Sequence, residues 1–174
     1  YRGPPSPEID AAWLRIGLAT PGIRLFEFDL KLLNKTDTSS RRLHRIPEEF
    51  GGGYLGMLEV FHLLHCLNSL RKATYKEYYI KEWKKAGERA MRVHNGPDHC
   101  IDMLREVLMC SADVTPLTFY DALDNPARKL PMPDFSTLHT CRNFDELLEW
   151  NANNDRAMKW DEMGLDLSDS HHVD

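Results

Sequence analysis

The sequence predicts a mainly α protein: a compact helical domain with long proline-rich loops and little β structure. Three observations lead there. Apolar residues recur at three- and four-residue steps over residues 54–74 and again over 98–109, which is the period of one helix face. Ser6-Pro7-Glu8 carries helix-start chemistry, with serine as the cap, proline in the first turn and an acid beside it. Gly51-Gly52-Gly53 and Asn95-Gly96-Pro97 break the chain between such segments. The 174 residues fit one domain. They divide into a linker at 1–5, a single domain over 6–160 and an acidic flexible tail over 161–174. A hydrophobic share of 42% against 28% charged supplies a core and excludes disorder as the whole story. The net charge of −5 argues against sequence-independent nucleic-acid binding, which needs a basic surface. No apolar run reaches the roughly 18 residues of a membrane span.

Each element follows in order. The first helix runs through Ala11, Ala12, Trp13 and Leu14 and stops near Gly17, with Pro21 beyond. Leu25-Phe26-Glu27-Phe28 reads as a strand, while Leu30, Leu32 and Leu33 suit strand or helix alike. Residues 34–45 are polar and basic, hence a loop. The strongest helix is expected from Tyr54 to Thr74, with Met57, Val60, Phe61, Leu64, Leu67 and Arg71 along one side. Residues 75–93 read as an amphipathic helix with Tyr79, Trp83 and Ala86 inward and a solvated basic face. A further helix runs from Asp98 to about Met109 on a core stripe of Ile101, Leu104 and Leu108. Prolines and no period mark 111–140 as loop. Phe144, Leu147, Leu148 and Trp150 form the last helix.

An internal repeat carries the chemistry. His65-Cys66-Leu67-Asn68-Ser69-Leu70-Arg71 returns as His99-Cys100-Ile101-Asp102-Met103-Leu104-Arg105. A solenoid needs at least about three copies, so two copies read as related helices supplying equivalent groups to one site. His62 and His65 stand three apart on a helix and so project from one face. Neighbours such as His65 and Cys66 point about 100° apart and do not easily share an ion. The histidines are therefore assigned to a metal, with His99 as the third ligand. Imidazole suits zinc, copper, iron and nickel, and Cu(II) binds it most tightly among the divalent ions. The bland alternative is ordinary histidines on a helix surface.

These residues resemble the UstYa-like family of fungal mycotoxin-biosynthesis proteins. That family carries two His-x-x-His-Cys motifs on helices, each followed by Leu-Arg. His62-Leu63-Leu64-His65-Cys66 is a full match. The segments Ser6 to Trp13, Asp98 to Arg105, Leu108 to Pro116 and His139 to Asp145 are similar too. In the second motif Gly96 stands where the family has its first histidine. The resemblance implies a lumenal protein of the secretory pathway, held by a membrane anchor absent from this chain. It implies copper and the oxidative tailoring of a peptide or other secondary metabolite by cyclisation, hydroxylation or halogenation. His62, His65 and His99 would hold the copper, with His94 or His139 as a fourth ligand. A homo- or hetero-oligomer with a paralogue is a further expectation. Two other readings stand beside this one: a non-redox cyclase or isomerase using the histidines as acid and base, and a non-catalytic partner of a pathway enzyme.

Four cysteines, Cys66, Cys100, Cys110 and Cys141, allow two disulfides. Cys66–Cys100 with Cys110–Cys141 is the expected pairing, because residues beside His65 and His99 are close if those histidines share an ion. The second bridge would close a loop of about 30 residues, worth roughly 3–4 kcal/mol. Crossed pairings compete, and free buried thiols are the alternative. Asn34-Lys35-Thr36 is a glycosylation sequon. Arg71 and Arg105 would clamp a substrate carboxylate or tie helices to acidic loops. Tyr75, Tyr78 and Tyr79 would line a pocket or simply pack. His171 and His172 lie in the polar tail.

Overall fold

The computed structural model describes residues 1–17, 19–39, 42–80, 97–116, 118–120, 132–136 and 138–163. His94, most of the helix expected over 75–93, the centre of the proline-bearing stretch and most of the tail lie outside them. The protein is mainly α. In chain order it runs α1 (Pro7–Ile16), β1 (Gly22–Leu25), α2 (Glu27–Leu32), a 3-10 turn (Glu48–Phe50), β2 (Tyr54–Gly56) and α3 (Glu59–Thr74). Then come α4 (Pro97–Ser111), β3 (Thr118–Tyr120), β4 (Met132–Asp134), α5 (Phe144–Asn153), β5 (Ala157–Met158) and a second 3-10 turn (Asp161–Met163).

The helix starts obey local chemistry. Ser6 accepts the Ile9 N–H at 3.3 Å with Pro7 opening α1. Asn143 caps α5 by accepting the Glu146 N–H at 3.3 Å. The strand expected over 25–28 lies earlier, as β1, with only Leu25 shared; Glu27 and Phe28 instead open helix α2, which takes up Leu30 and Leu32. Asn34, the sequon residue, also shapes the backbone, because at φ 51° it ends α2 in the left-handed conformation. Its N–H reaches Lys31 O at 3.1 Å and the Lys35 N–H reaches Leu30 O at 2.9 Å, the bonding pattern of a helix stop that favours glycine or asparagine. Asn34 is exposed.

The long helix begins five residues later than its periodicity predicts. Gly51, Gly52 and Gly53 hold φ of 93°, 64° and 91°, a path open in practice to glycine. The turn brings Leu25 opposite Tyr54 and Ile23 opposite Gly56, so Tyr54–Gly56 becomes a strand. A Cβ on Gly53 would lie 2.9 Å from Leu25 O. The sheet order is β2-β1-β5, all antiparallel, with β5 adding the C-terminal segment to the other edge of β1.

Under this sheet Ile46 and Met158 are buried against Leu55 and Trp160. The Trp160 indole donates to Thr20 O at 3.0 Å, and buried Asn151 donates to Pro21 O at 2.9 Å, so the C-terminal elements lock the α1–β1 turn. Phe61 at the start of α3 is fully buried, edge-on to Phe144 of α5 at 6.2 Å. Gly17 at the end of α1 lies close against α3: a Cβ there would sit 3.6 Å from the His65 backbone. Helix α4 keeps Leu104 of its predicted stripe inward but turns Ile101 and Leu108 outward. Cys100 is buried and Met103, Leu104 and Val107 are half-buried, whereas Ile101 and Leu108 are 54% and 70% exposed. Positions 100, 103, 104 and 107 form their own helical stripe. It wins because it carries His99 and Cys100 toward α3.

Candidate metal centre

Helices α3 and α4 bring the repeated residues together. His62 of α3 and His99 of α4 have ring centres 5.9 Å apart, and His62 and His65 stand 6.4 Å apart on α3. All three imidazoles are half-buried. An ion about 2.0–2.1 Å from an imidazole nitrogen sits about 3.2 Å from that ring's centre, so two rings sharing it have centres up to about 6.4 Å apart. The His62–His99 pair lies within that span, whereas the His62–His65 pair meets it only with the ion on the line between the rings, and His65 is not among the three residues whose ligand atoms converge. The donor set therefore fits a metal that favours imidazole.

The tightest group among the described residues includes a residue that spacing had set aside. Ligand atoms of His62, Cys66 and His99 all lie within 4.8 Å of one another. Cys66 Sγ is 3.9 Å from His62 Nε2. The helix explains this: a step of three rotates a side chain by about −60° and a step of four by about +40°. Cys66 thus falls nearer the His62 direction than His65 does. The signal was present in the sequence as a His-x-x-x-Cys step. It was eclipsed by the more familiar histidine pair.

Electrostatics favour the ligating form of His62. Burial lowers its pKa from 6.5 and the neighbouring His99 adds to this, outweighing Glu59. The ring therefore stays neutral, as a metal donor must. Burial, together with the adjoining Cys100 thiol, pushes the Cys66 thiol up to about 12.

Among the described residues the other candidates fall outside that converging group. All four cysteines are thiols in the structure: Cys66 and Cys100 are buried, and Cys110 and Cys141 are exposed. His139 turns Nδ1 to Asp113 Oδ2 at 3.1 Å on an exposed surface. Asp113 also accepts the Thr115 hydroxyl at 2.6 Å and its N–H at 2.9 Å, and these bonds with His139 hold its carboxyl below the ordinary range. No spacing rule foretells a pair this distant in sequence. Arg71 is spent on structure. It pairs with Asp10 of α1 at 2.5 Å and lies against the Trp13 and Tyr79 rings at 5.7 and 5.5 Å. Tyr79 donates to the same Asp10 oxygen at 2.6 Å. Arg105 is exposed and paired with Asp102 and Glu106 of its own helix at 2.6 and 3.3 Å. Tyr75 ends α3 and is 39% exposed. Among the described residues no helix is long and apolar enough to cross a membrane.

Fold and site together define a helical domain that gathers imidazoles and a thiol from two repeat-related helices. The chain belongs to the UstYa family: the family model "Mycotoxin biosynthesis protein UstYa" matches residues 1–154. It is 37% identical over 155 residues to the UstYa family oxidase phomYc of Diaporthe leptostromiformis, covering 88% of this chain and 59% of that protein. It is 31% identical over 173 residues to the UstYa family oxidase aprY of Aspergillus flavus, covering 94% of this chain and 50% of that protein. It is also 31% identical over 160 residues to a protein named transacylase cctO of Talaromyces islandicus, covering 86% of this chain and 50% of that protein. The chain thus spans between half and three fifths of these curated relatives. No solved structure matches it.

Proposed function

We propose that this protein is a copper-dependent oxidase that tailors a peptide or another secondary metabolite in the lumen of the secretory pathway. The observation that carries the proposal is the meeting of His62 and His99 from two different helices, with His65 one turn along α3 from His62. The names of the relatives phomYc and aprY support an oxidative reaction. His62, His65 and His99 would hold the metal. When bound, copper supplies the one-electron and oxygen chemistry that side chains lack and that bond formation at an unactivated carbon or phenol requires.

The chain's own residues prepare for this. Burial keeps the His62 lone pair unprotonated below the pH at which an ordinary histidine titrates. The close approach of Gly17 to the His65 backbone seats this part of α3 against α1. Phe61, buried one residue before His62, fixes that turn of α3 against α5 and limits the freedom of the ring beside it. The fourth donor is proposed to be His94, which lies outside the described residues, or His139. Within the structure His139 has its Nδ1 side engaged by Asp113, which leaves Nε2 as the donor.

Metal content tests the reading. Untagged protein should bind copper, and His99→Ala and His65→Ala should each lose it while the far-ultraviolet spectrum stays helical. Full copper retention in both variants sinks the assignment. The transacylase name of one relative favours a second reading, in which the neutral His62 serves as a base in non-redox chemistry. Turnover without oxygen uptake would select that alternative.

A further inference from the structure

One sulfur stands between two partners. Cys66 Sγ lies 3.9 Å from His62 Nε2 and belongs to the metal-capable group with His99. His99, whose ring nitrogen lies within 4.8 Å of that sulfur, is followed directly by Cys100, which is also buried on α4. The Cys66 sulfur cannot serve both a metal and Cys100: a sulfur in a disulfide has given up the thiolate charge that binds a metal. The two cysteines occupy equivalent places in the repeated His-Cys sequence, so the approach of one helix to the other that joins His62 to His99 also joins Cys66 to Cys100. Both are buried, at 0% and 3% exposure. Two buried cysteines carried by helices that already bring Cys66 within 4.8 Å of His99 stand near the separation that disulfide geometry requires.

We propose that Cys66 and Cys100 close a disulfide between α3 and α4, and that this bond withdraws Cys66 from the metal and leaves an imidazole-only site. The inference rests on the metal reading above only in its second half. The chemistry is a two-step exchange with a disulfide donor. One S–S bond forms in the protein as one breaks in the donor, and the two protons and two electrons of the protein thiols leave with the donor's two reduced sulfurs. Two consequences follow. The spacing of His62 and His99 is held by a covalent tie beneath the rings, before and without the ion. The donor set also loses its one soft, reducing ligand, which shifts preference from Zn(II) and Cu(I) toward Cu(II) on nitrogen.

The test uses the whole chain, folded with oxidised and reduced glutathione. Non-reducing peptide mapping should give a linked Cys66–Cys100 pair, and alkylation of the native protein should leave both unlabelled. Cobalt(II) is then the probe. The native protein should show cobalt d–d bands without a thiolate charge-transfer band, and that band should appear in Cys100→Ser, where Cys66 is left as a thiol. Mild reduction of the wild type gives the same comparison should that variant misfold. Alkylation of both cysteines after denaturation without reduction, or a thiolate band before reduction, overturns the proposal. A linked pair with no cobalt or copper bound leaves the tie standing and removes the metal reading. Metal bound through a thiolate in native protein does the reverse.

Discussion

Helices α3 and α4 carry the same short sequence and use it differently. Locally the two copies agree. Arg71 Nε donates to Asn68 Oδ1 at 2.9 Å, and Arg105 Nε donates to Asp102 Oδ1 at 2.8 Å. Beyond the helix they part. The Arg71 side chain is 11% exposed, tied to α1 through Asp10 and flanked by Trp13 and Tyr79. The Arg105 side chain is 49% exposed and its ion pairs stay on its own helix. A repeated residue is therefore a repeated local contact. Its energetic weight comes from what the fold places across from it.

The contrast breaks most clearly at the arginines. Arg71→Ala leaves Asp10 and Tyr79 without their partner, and the loss of a largely buried charge-assisted bond costs about 2–3 kcal/mol. Arg105→Ala removes exposed ion pairs and should be nearly silent. Urea denaturation of both variants measures the gap, and equal losses would erase the difference between the two copies.

The rotation of α4 gives a smaller contrast. Leu104 is half-buried on the inner stripe and Leu108 is 70% exposed. Leu104→Ala should cost about 1–2 kcal/mol, below the range for fully buried leucines, while Leu108→Ala should be nearly silent. Equal losses at the two positions would restore the stripe that the sequence suggested, which contained both.

A pH series sharpens the Asp10–Arg71–Tyr79 cluster. Burial, together with the bond to Asp10, raises the Tyr79 phenol to about 12 from 10.0. The folded value lies above the unfolded one, so the contribution is complete below about pH 10 and lost as pH climbs toward 12. For Asp10, burial works to raise the carboxyl, but the Tyr79 and Arg71 bonds and the Arg71 charge outweigh it and hold the carboxyl below 3.8. That contribution is present above about pH 4 and fades on acidification. Tyr79→Phe should cost about 1 kcal/mol near neutrality and remove this residue's share of the alkaline loss. The smallest effects belong to the local contacts: Asn68→Ala and Asp102→Ala should match each other within about 0.5 kcal/mol, because each loses one i,i+3 bond.

The sequence alone determined what depends on near neighbours along the chain. Ser6-Pro7 set the start of α1, the helical period set α3 and α4, and the repeated His-Cys marked the two helices that meet. Tertiary structure decided the rest, for physical reasons that spacing does not contain. Tyr54–Gly56 left the helix because β1 offered it strand hydrogen bonds. Helix α4 has two apolar stripes, and the partner surface on α3 selected the one bearing Cys100. Cys66 joined the histidines because His99 arrives from another helix on the side that an i,i+4 step faces. His139 found Asp113 only because the chain folds back between them. Periodicity says which side chains share a face, and only packing says which face has something to meet.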